Sequence, residues 1–251
     1  MEKTELENKV REDVVCGINP VIEALRSGKE IESLLVSGKK DNGKIARILA
    51  ECAKRSIIVK EVSPKKLDFL CGHTAHQGVA LTLSSARYFT VDEILEYAKS
   101  RDEAPFIVVC DEIEDPHNMG AIIRTAECAG VHGIIVPKRR SAPLGFTASK
   151  TSAGALEHMK IAKVANLASE IDRLKAEGLW VYGADMDGRD YRETDFSGGC
   201  VLVIGNEGKG LGRLVREKCD VIVSLPMKGK INSLNASVAA GILMYKAAEK
   251  R

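Results

Sequence analysis

Asn118, Arg124, Asn206, Glu207, Ser233 and Asn235 are the polar residues of this sequence whose setting points to chemistry. They fall in three segments: Asn118 to Ala126, Ile204 to Leu211 and Ser224 to Ser237. The second and third segments follow apolar, β-branched runs, Val201 to Ile204 and Val221 to Val223. That is the layout of loops at the carboxyl ends of buried strands, where open α/β sheets place their ligands. Gly205, Gly208 and Gly210 allow close backbone approach and positive φ. Such a loop suits a flat, uncharged ring such as adenine, bound by backbone amides and carbonyls. Leu225, Pro226, Met227 and Leu234 supply apolar walls. One glycine alone would read as a tight turn or helix cap; three within 205–210 at a strand end favour a ligand loop.

Other nucleotide sites fit poorly. The loop lacks the Gly-Lys-Ser/Thr ending of a P-loop and does not match GxGxxG. The strand-like run Phe106 to Cys110 leads into Asp111-Glu112-Ile113-Glu114-Asp115, where a pyrophosphate would meet carboxylates instead of amides. Asn118 is expected at or just before the start of a helix running to about Gly130, where its plain role is an N-cap. Arg124 sits among Ala121, Ile122, Ile123 and Ala126, so it needs a partner or faces a ligand. The structural alternative is an ion pair with Glu127 or with an acidic residue before the helix. Asn235 has the same alternative as a cap on the last helix, and Ser233 as a capping group.

The elements that must position these groups form two units. Residues 1–13 are highly charged and predict a mobile tail. Residues 14–84 alternate strand and helix: helix from Asn19-Pro20, strand at Ile31 to Val36, helix at Lys44 to Arg55, strand at Ile57 to Val59, helix from Ser63-Pro64, strand at Val79 to Leu83. That predicts a small α/β sandwich. Residues 85–104 read as a linker with a short helical stretch. From 105 to 251, near-continuous apolar strands at 106–110, 133–136, 179–182, 201–204 and 221–225 alternate with helices. This is the pattern of a mostly parallel sheet covered on both faces.

Composition bounds the class. Hydrophobic residues make up 45% and charged residues 29% of 251, ordinary for a soluble globular protein. No apolar run is long enough to span a bilayer and the start lacks a signal peptide's apolar core, so a cytoplasmic protein without membrane contact is expected. The seven cysteines form no CxxC pair and read as reduced buried thiols. Cys71, His73 and His76 lack a second ligand cluster, so no metal is expected. Net charge is only +2, so nucleic-acid contact would need local patches. Candidates are Lys138-Arg139-Arg140, Lys228 with Lys230, and Lys39, Lys40 and Lys44. Such runs are otherwise solvated loops.

The three polar segments, in this order, resemble the signature motifs of the SpoU (TrmH) family of ribose 2′-O-methyltransferases within the knotted SPOUT superfamily. The resemblance implies an α/β fold: a C-terminal SPOUT domain with a parallel sheet and a deep trefoil knot. The first unit, through Gly17 to Leu25 and His76 to Ala80, resembles a substrate RNA-binding domain similar to ribosomal protein L30e. Implied are S-adenosylmethionine as cofactor, a homodimer and an RNA substrate, most like a guanosine ribose of large-subunit rRNA. By the same resemblance, Asn118, Arg124, Glu207, Ser233 and Asn235 match catalytic and substrate positions. Ile204, Gly205, Asn206, Gly210, Leu225, Met227, Leu234 and Asn235 match the cofactor site, and Lys138, Arg139 and Arg140 become candidates for RNA phosphates. The alternatives are tRNA, an rRNA adenosine as in thiostrepton-resistance enzymes, or a non-catalytic RNA-binding factor on the same fold.

Overall fold

The computed structural model describes residues 13–38, 43–72, 74–249 and 251. The tail expected at 1–13 thus lies outside the described residues except for Asp13, as do Lys39, Lys40 and His73. The chain divides into two compact units.

The first unit runs to Arg87 and includes 143–146. Its elements are β1 (Val14–Cys16), α1 (Ile18–Arg26), β2 (Ile31–Val36), α2 (Gly43–Lys54), β3 (Ile58–Glu61), α3 (Pro64–Leu70) and β4 (Val79–Leu83). The four strands form one sheet in the order β1-β4-β2-β3. Strand alternation decides its two faces. Leu34, Val36, Val79 and Leu81 pack with Val21 and Leu25 of α1 and Ile45 and Ile48 of α2. Leu35 and Ala80 face the other way, onto Leu67 of α3. Ser63 caps α3 by accepting from the Lys66 N–H, with Pro64 just inside, as the sequence predicts.

One cysteine expectation is overturned here. Cys16, on the edge strand, and Cys71, just past α3, form a disulfide with their Cα atoms 5.9 Å apart. Fifty-five residues separate them in sequence, so their approach comes from the fold and no short-range pattern announces it. Cys71 is therefore unavailable to a metal. His76 is also engaged: its Nε2 lies 2.9 Å from Asp68 Oδ1, and its Nδ1 accepts from the Gly78 N–H.

The second unit comprises 88–142 and 147–251. Its elements are β5 (Tyr88–Phe89), α4 (Val91–Ser100), β6 (Phe106–Cys110), α5 (Pro116–Cys128), β7 (Gly133–Pro137), α6 (Phe146–Ser152), β8 (Ile161–Val164), α7 (Leu167–Ala176), β9 (Trp180–Asp190), β10 (Cys200–Ile204), α8 (Arg213–Lys218), β11 (Val221–Ser224) and α9 (Ala236–Ala248). Seven strands form a parallel sheet in the order β11-β9-β10-β6-β7-β8-β5. On one face, Ile107, Val109, Ile135, Val181, Val201 and Val203 pack with Ile94 of α4, Ile171 of α7 and Val215 of α8. The alternate residues of the same strands face the side where α5 and α9 pack together, α9 also against β10.

The stretch 85–104 differs from the linker expected there. Tyr88 pairs with Ile161 at the sheet edge, and Val91 and Ile94 are buried in the core of the second unit. A Thr90–Glu93 capping box starts α4. Two residues of strand are too short for periodicity to register.

Buried His132 ties β6 to the turn before β7. The Phe106 N–H donates to its Nδ1 at 2.9 Å, so the ring proton sits on Nε2 and is directed at Glu103 Oε2, also 2.9 Å away. Burial pulls the imidazole pKa below its ordinary value, outweighing the Glu103 carboxylate that pushes it up. A second proton would cost the Phe106 bond. The unfolded chain takes up that proton near pH ~6.5, the folded chain only at lower pH, so unfolding binds protons in between. Stability should therefore fall as pH drops from 7 towards 5. Melting curves of the protein and of His132→Gln across this range should show a shallower pH slope in the variant.

Candidate active site

The loop from Gly205 to Gly210 closes on itself. The Asn206 N–H donates to the Gly210 carbonyl at 3.0 Å and the Gly210 N–H returns to the Asn206 carbonyl at 2.9 Å. Asn206 also folds its side chain under the turn: Oδ1 accepts from the Gly208 and Lys209 N–H groups, and Nδ2 donates to the Glu112 carbonyl. A Cβ at Gly205 would lie 2.5 Å from the Gly210 carbonyl oxygen, so no side chain fits there. Gly210 has φ +67°, the left-handed region glycine adopts without strain. The far end of the loop is anchored by buried Asp111, whose Oδ2 accepts from the Gly212 N–H at 2.7 Å. Burial raises that carboxyl's pKa, and the Gly212 bond opposes the rise.

Together the loops enclose a cavity of about 300 Å³. Ile204, Gly205, Asn206, Gly210, Leu225, Met227 and Leu234 all line it, so the structure gathers seven of the eight predicted cofactor residues into one wall. Asn235 does not line it; its neighbours Leu234 and Ala236 do. Glu207 and Ser233 also face the cavity.

Asn118, Glu207 and Asn235 meet in one hydrogen-bonded cluster, although 117 residues separate the two asparagines. The logic of their orientation starts at α9. Asn235 caps that helix, its Oδ1 accepting from the Ser237 and Val238 N–H groups and the Ser237 hydroxyl. Its Nδ2 must then point the other way, where it donates to Asn118 Oδ1 at 2.9 Å and to Glu207 Oε1. With its oxygen so used, Asn118 turns its Nδ2 to Glu207 Oε1 at 2.8 Å. Glu207 Oε2 makes no hydrogen bond among the described residues.

Asn118 is not the cap expected of it. Asp115 caps α5, accepting from the His117 N–H at 2.8 Å, with Pro116 in the first turn. Proline has no N–H to satisfy and its φ suits the first helical position, so the helix starts earlier and Asn118 is left for the cluster. Gly120, in the turn that follows, is required by packing: a Cβ would lie 2.6 Å from Thr151 Cβ of α6.

Arg124 is exposed and makes no hydrogen bond or ion pair among the described residues. The salt bridge to Glu127 is not formed, and Arg124 is not among the cavity residues. Lys138 and Arg139 are likewise exposed and unpaired among the described residues, whereas Arg140 Nη1 sits 2.6 Å from Glu112 Oε1.

Sequence reasoning missed Ala184, Asp185 and Met186 of β9, which also line the cavity. It also missed Ala239 and Leu243, the cavity-facing residues of α9. No glycine-rich turn marks the β9 group, and the α9 pair looks like ordinary helix core. Among the described residues no group of three His, Cys, Asp or Glu side chains is placed to hold a metal ion, and no helix is long and apolar enough to cross a membrane.

Comparison with known proteins identifies the family. Residues 105–245 match the SpoU rRNA Methylase family, and residues 14–89 match the family model described as RNA 2′-O ribose methyltransferase substrate binding. A Bacillus subtilis protein, YacO, described as a TrmH-family tRNA/rRNA methyltransferase, is 44% identical over 95% of this chain and 96% of its own length. The SpoU methyltransferase AviRb of Streptomyces viridochromogenes, solved with the cofactor AdoMet, superposes with a TM-score of 0.59 at 26% identity, covering 98% of this chain and 96% of that one. An AdoMet-bound rRNA methyltransferase from Sinorhizobium meliloti gives 0.57 at 29% identity, over 93% of this chain and 85% of that one. The chain belongs to the SpoU (TrmH) family of RNA methyltransferases.

Proposed function

We propose that the chain methylates the 2′-hydroxyl of a guanosine ribose in large-subunit rRNA, using S-adenosylmethionine held in the cavity of the second unit. The observation that carries this reading is the glycine-closed loop lining one cavity with Glu207, itself held by Asn118 and Asn235. The residues present fit the cofactor: a backbone cradle at Gly205 where no Cβ fits, and apolar walls from Leu225, Met227 and Leu234. AviRb and the Sinorhizobium enzyme, both solved with AdoMet, support the assignment. S-adenosylmethionine supplies an already activated methyl group, so the protein's work is positioning and removal of the hydroxyl proton. Asn118 and Asn235 hold Glu207 through Oε1, which leaves Oε2 to accept from the ribose. Arg124, a cation without a partner among the described residues, stabilises the developing alkoxide.

Mapping ribose methylation in total RNA with and without the gene tests the reading. Loss of one 2′-O-methylguanosine from large-subunit rRNA is the expected result; loss from tRNA, or from an rRNA adenosine, would overturn the target.

The protein functions as a homodimer in this reading. Val238, Ile242 and Tyr245 are exposed at spacings of four and three along α9, whose other face is buried through Ala240, Leu243 and Met244. A helix apolar all round is one that is covered all round. Ile231, on the loop before α9, is exposed as well. Sedimentation should show two chains per particle, and Ile242→Asp should shift the protein to the monomer. The trefoil knot belongs to the same proposal, supported by the two cavity loops that flank α8 and β11.

RNA contact at the carboxyl edge falls to Lys138 and Arg139. Removing one phosphate-binding cation should lower the log–log salt slope of RNA binding by roughly 0.7 to 0.9. Lys138→Ala with Arg139→Ala should thus reduce the slope by about 1.5. Arg140→Ala should change it less, because Glu112 already offsets that charge. Filter binding across a salt series checks both.

A further inference from the structure

The register of β9 against β11 breaks beside the cavity. Gly183 pairs with Ile222, but the next β11 residue, Val223, pairs with Arg189, so residues 184–188 leave the ladder. The chain returns at Gly188, where a Cβ would lie 2.6 Å from the Ile222 carbonyl. The excursion carries Asp185 to the cavity wall and Asp187 to solvent. One guanidinium holds both: Arg216 of α8 donates from Nε to Asp185 Oδ2 at 3.0 Å and from Nη2 to Asp187 Oδ1 at 2.6 Å. The Met186 N–H adds a bond to Asp185 Oδ1 at 2.7 Å. The Asp185 side chain is only 20% exposed, against 74% for Asp187. A Cβ on Gly210 would stand 3.8 Å from Asp185 Oδ1, so this carboxylate lies against the glycine loop.

The charged residues of the cavity wall are Asp185, Glu207 and Lys209. Glu207 is committed through Oε1 to the asparagine cluster. Asp185 has no such tie to that cluster, and two carboxylates on one guanidinium leave the Asp185–Arg216–Asp187 group with a net negative charge. The wall there is fixed, partly buried and acidic.

We propose that Asp185 is a specificity-determining residue that reads the positive charge of the cofactor, with Arg216 as its positioning residue. This rests on the cavity being the S-adenosylmethionine site. The cofactor and its demethylated product share the nucleoside and the amino acid and differ by one methyl group and one unit of charge at sulfur. A fixed carboxylate in a partly desolvated wall favours the sulfonium and gains little from the neutral thioether. The preference is on the order of tenfold, the ratio that about 1.4 kcal/mol sets. Asp185 thereby favours exchange of spent product for fresh cofactor.

Calorimetric titration of the full chain with S-adenosylmethionine and with S-adenosylhomocysteine tests this. Asp185→Asn keeps the shape and removes the charge; cofactor affinity should fall about tenfold while product affinity stays within about twofold. Asp187→Asn takes the same unit of charge from the group, but in solvent, where water screens it, so it should change the preference by no more than about twofold. Equal losses for both ligands, no loss for either, or the same loss of preference in Asp187→Asn would each overturn the assignment. The unmodified protein gives an arm that no folding defect can blur: its preference for the charged ligand should shrink as salt is raised, and a flat preference counts against Asp185. An unmodified protein that binds neither ligand removes the cavity reading itself, an outcome distinct from the others.

Discussion

Arg124→Ala is expected to lower kcat on the RNA substrate by roughly 100-fold or more, the scale of losing one oxyanion donor. Cofactor affinity and melting temperature should barely move. The surroundings of Arg124 separate this from a structural role. Its side chain is exposed and has no hydrogen-bond or ion-pair partner among the described residues, so truncation breaks no contact of the fold. The Ala121, Ile122, Ile123 and Ala126 context that makes a charge look costly belongs to α5, whose buried residues include Ile122, Ile123 and Ala126 but not Arg124. A guanidinium stays charged and makes a poor base, so the role proposed for it is to stabilise negative charge on the ribose oxygen. Arg124→Lys should rescue poorly, since an ammonium does not reproduce the planar fork. Single-turnover rates and melting curves on the same variant decide the matter. A stable Arg124→Ala protein with near-normal turnover would end the catalytic assignment and shift attention to Glu207.

Gly205→Ala should remove cofactor binding, lowering affinity by roughly 100-fold, the ratio that about 2.7 kcal/mol sets. A methyl group there would lie 2.5 Å from the Gly210 carbonyl oxygen and 2.6 Å from the Leu211 nitrogen, both backbone atoms that cannot rotate away. The loop must open, losing the paired Asn206–Gly210 bonds, each worth about 0.5–1.5 kcal/mol, and the cradle with them. Gly208 is the internal control. A Cβ there meets only Asn206 Oδ1 at 3.7 Å, so Gly208→Ala should bind nearly as the unmodified protein does. Calorimetry on both variants checks the pair, and equal affinities would show that the loop is more pliant than its contacts imply.

Much of this was readable in the residues. The strands of the large sheet announce themselves as apolar runs because parallel strands are buried on both faces. The glycine loop is legible because a simple turn after such a run needs one glycine, not three. What escaped reading has physical causes. The Asn118–Glu207–Asn235 cluster joins positions 89 and 117 residues apart, so its members could be nominated but not connected. Asp185 sits in a β9 excursion that only pairing with β11 defines. Asp115 took the cap from Asn118 because Pro116 starts the helix earlier than its apolar periodicity indicates. The Cys16–Cys71 pair depends on how α3 lies on the small sheet.

The strand order of the large sheet has a consequence for how the protein is made. β10 lies between β9 and β6, and its Cys200 to Ile204 pair with Phe106 to Cys110, a segment synthesised far earlier. During synthesis β6, β7 and β8 can pair as they emerge, but β6 keeps a bare edge until β10 arrives. Such non-local pairing slows folding and leaves a strand edge open to wrong partners in the interval. The polar cluster comes later still, because Asn235 and the first turn of α9 are among its parts. A nascent chain therefore has no complete cluster until Asn235 and the first turn of α9 have been translated, after all seven strands of the large sheet.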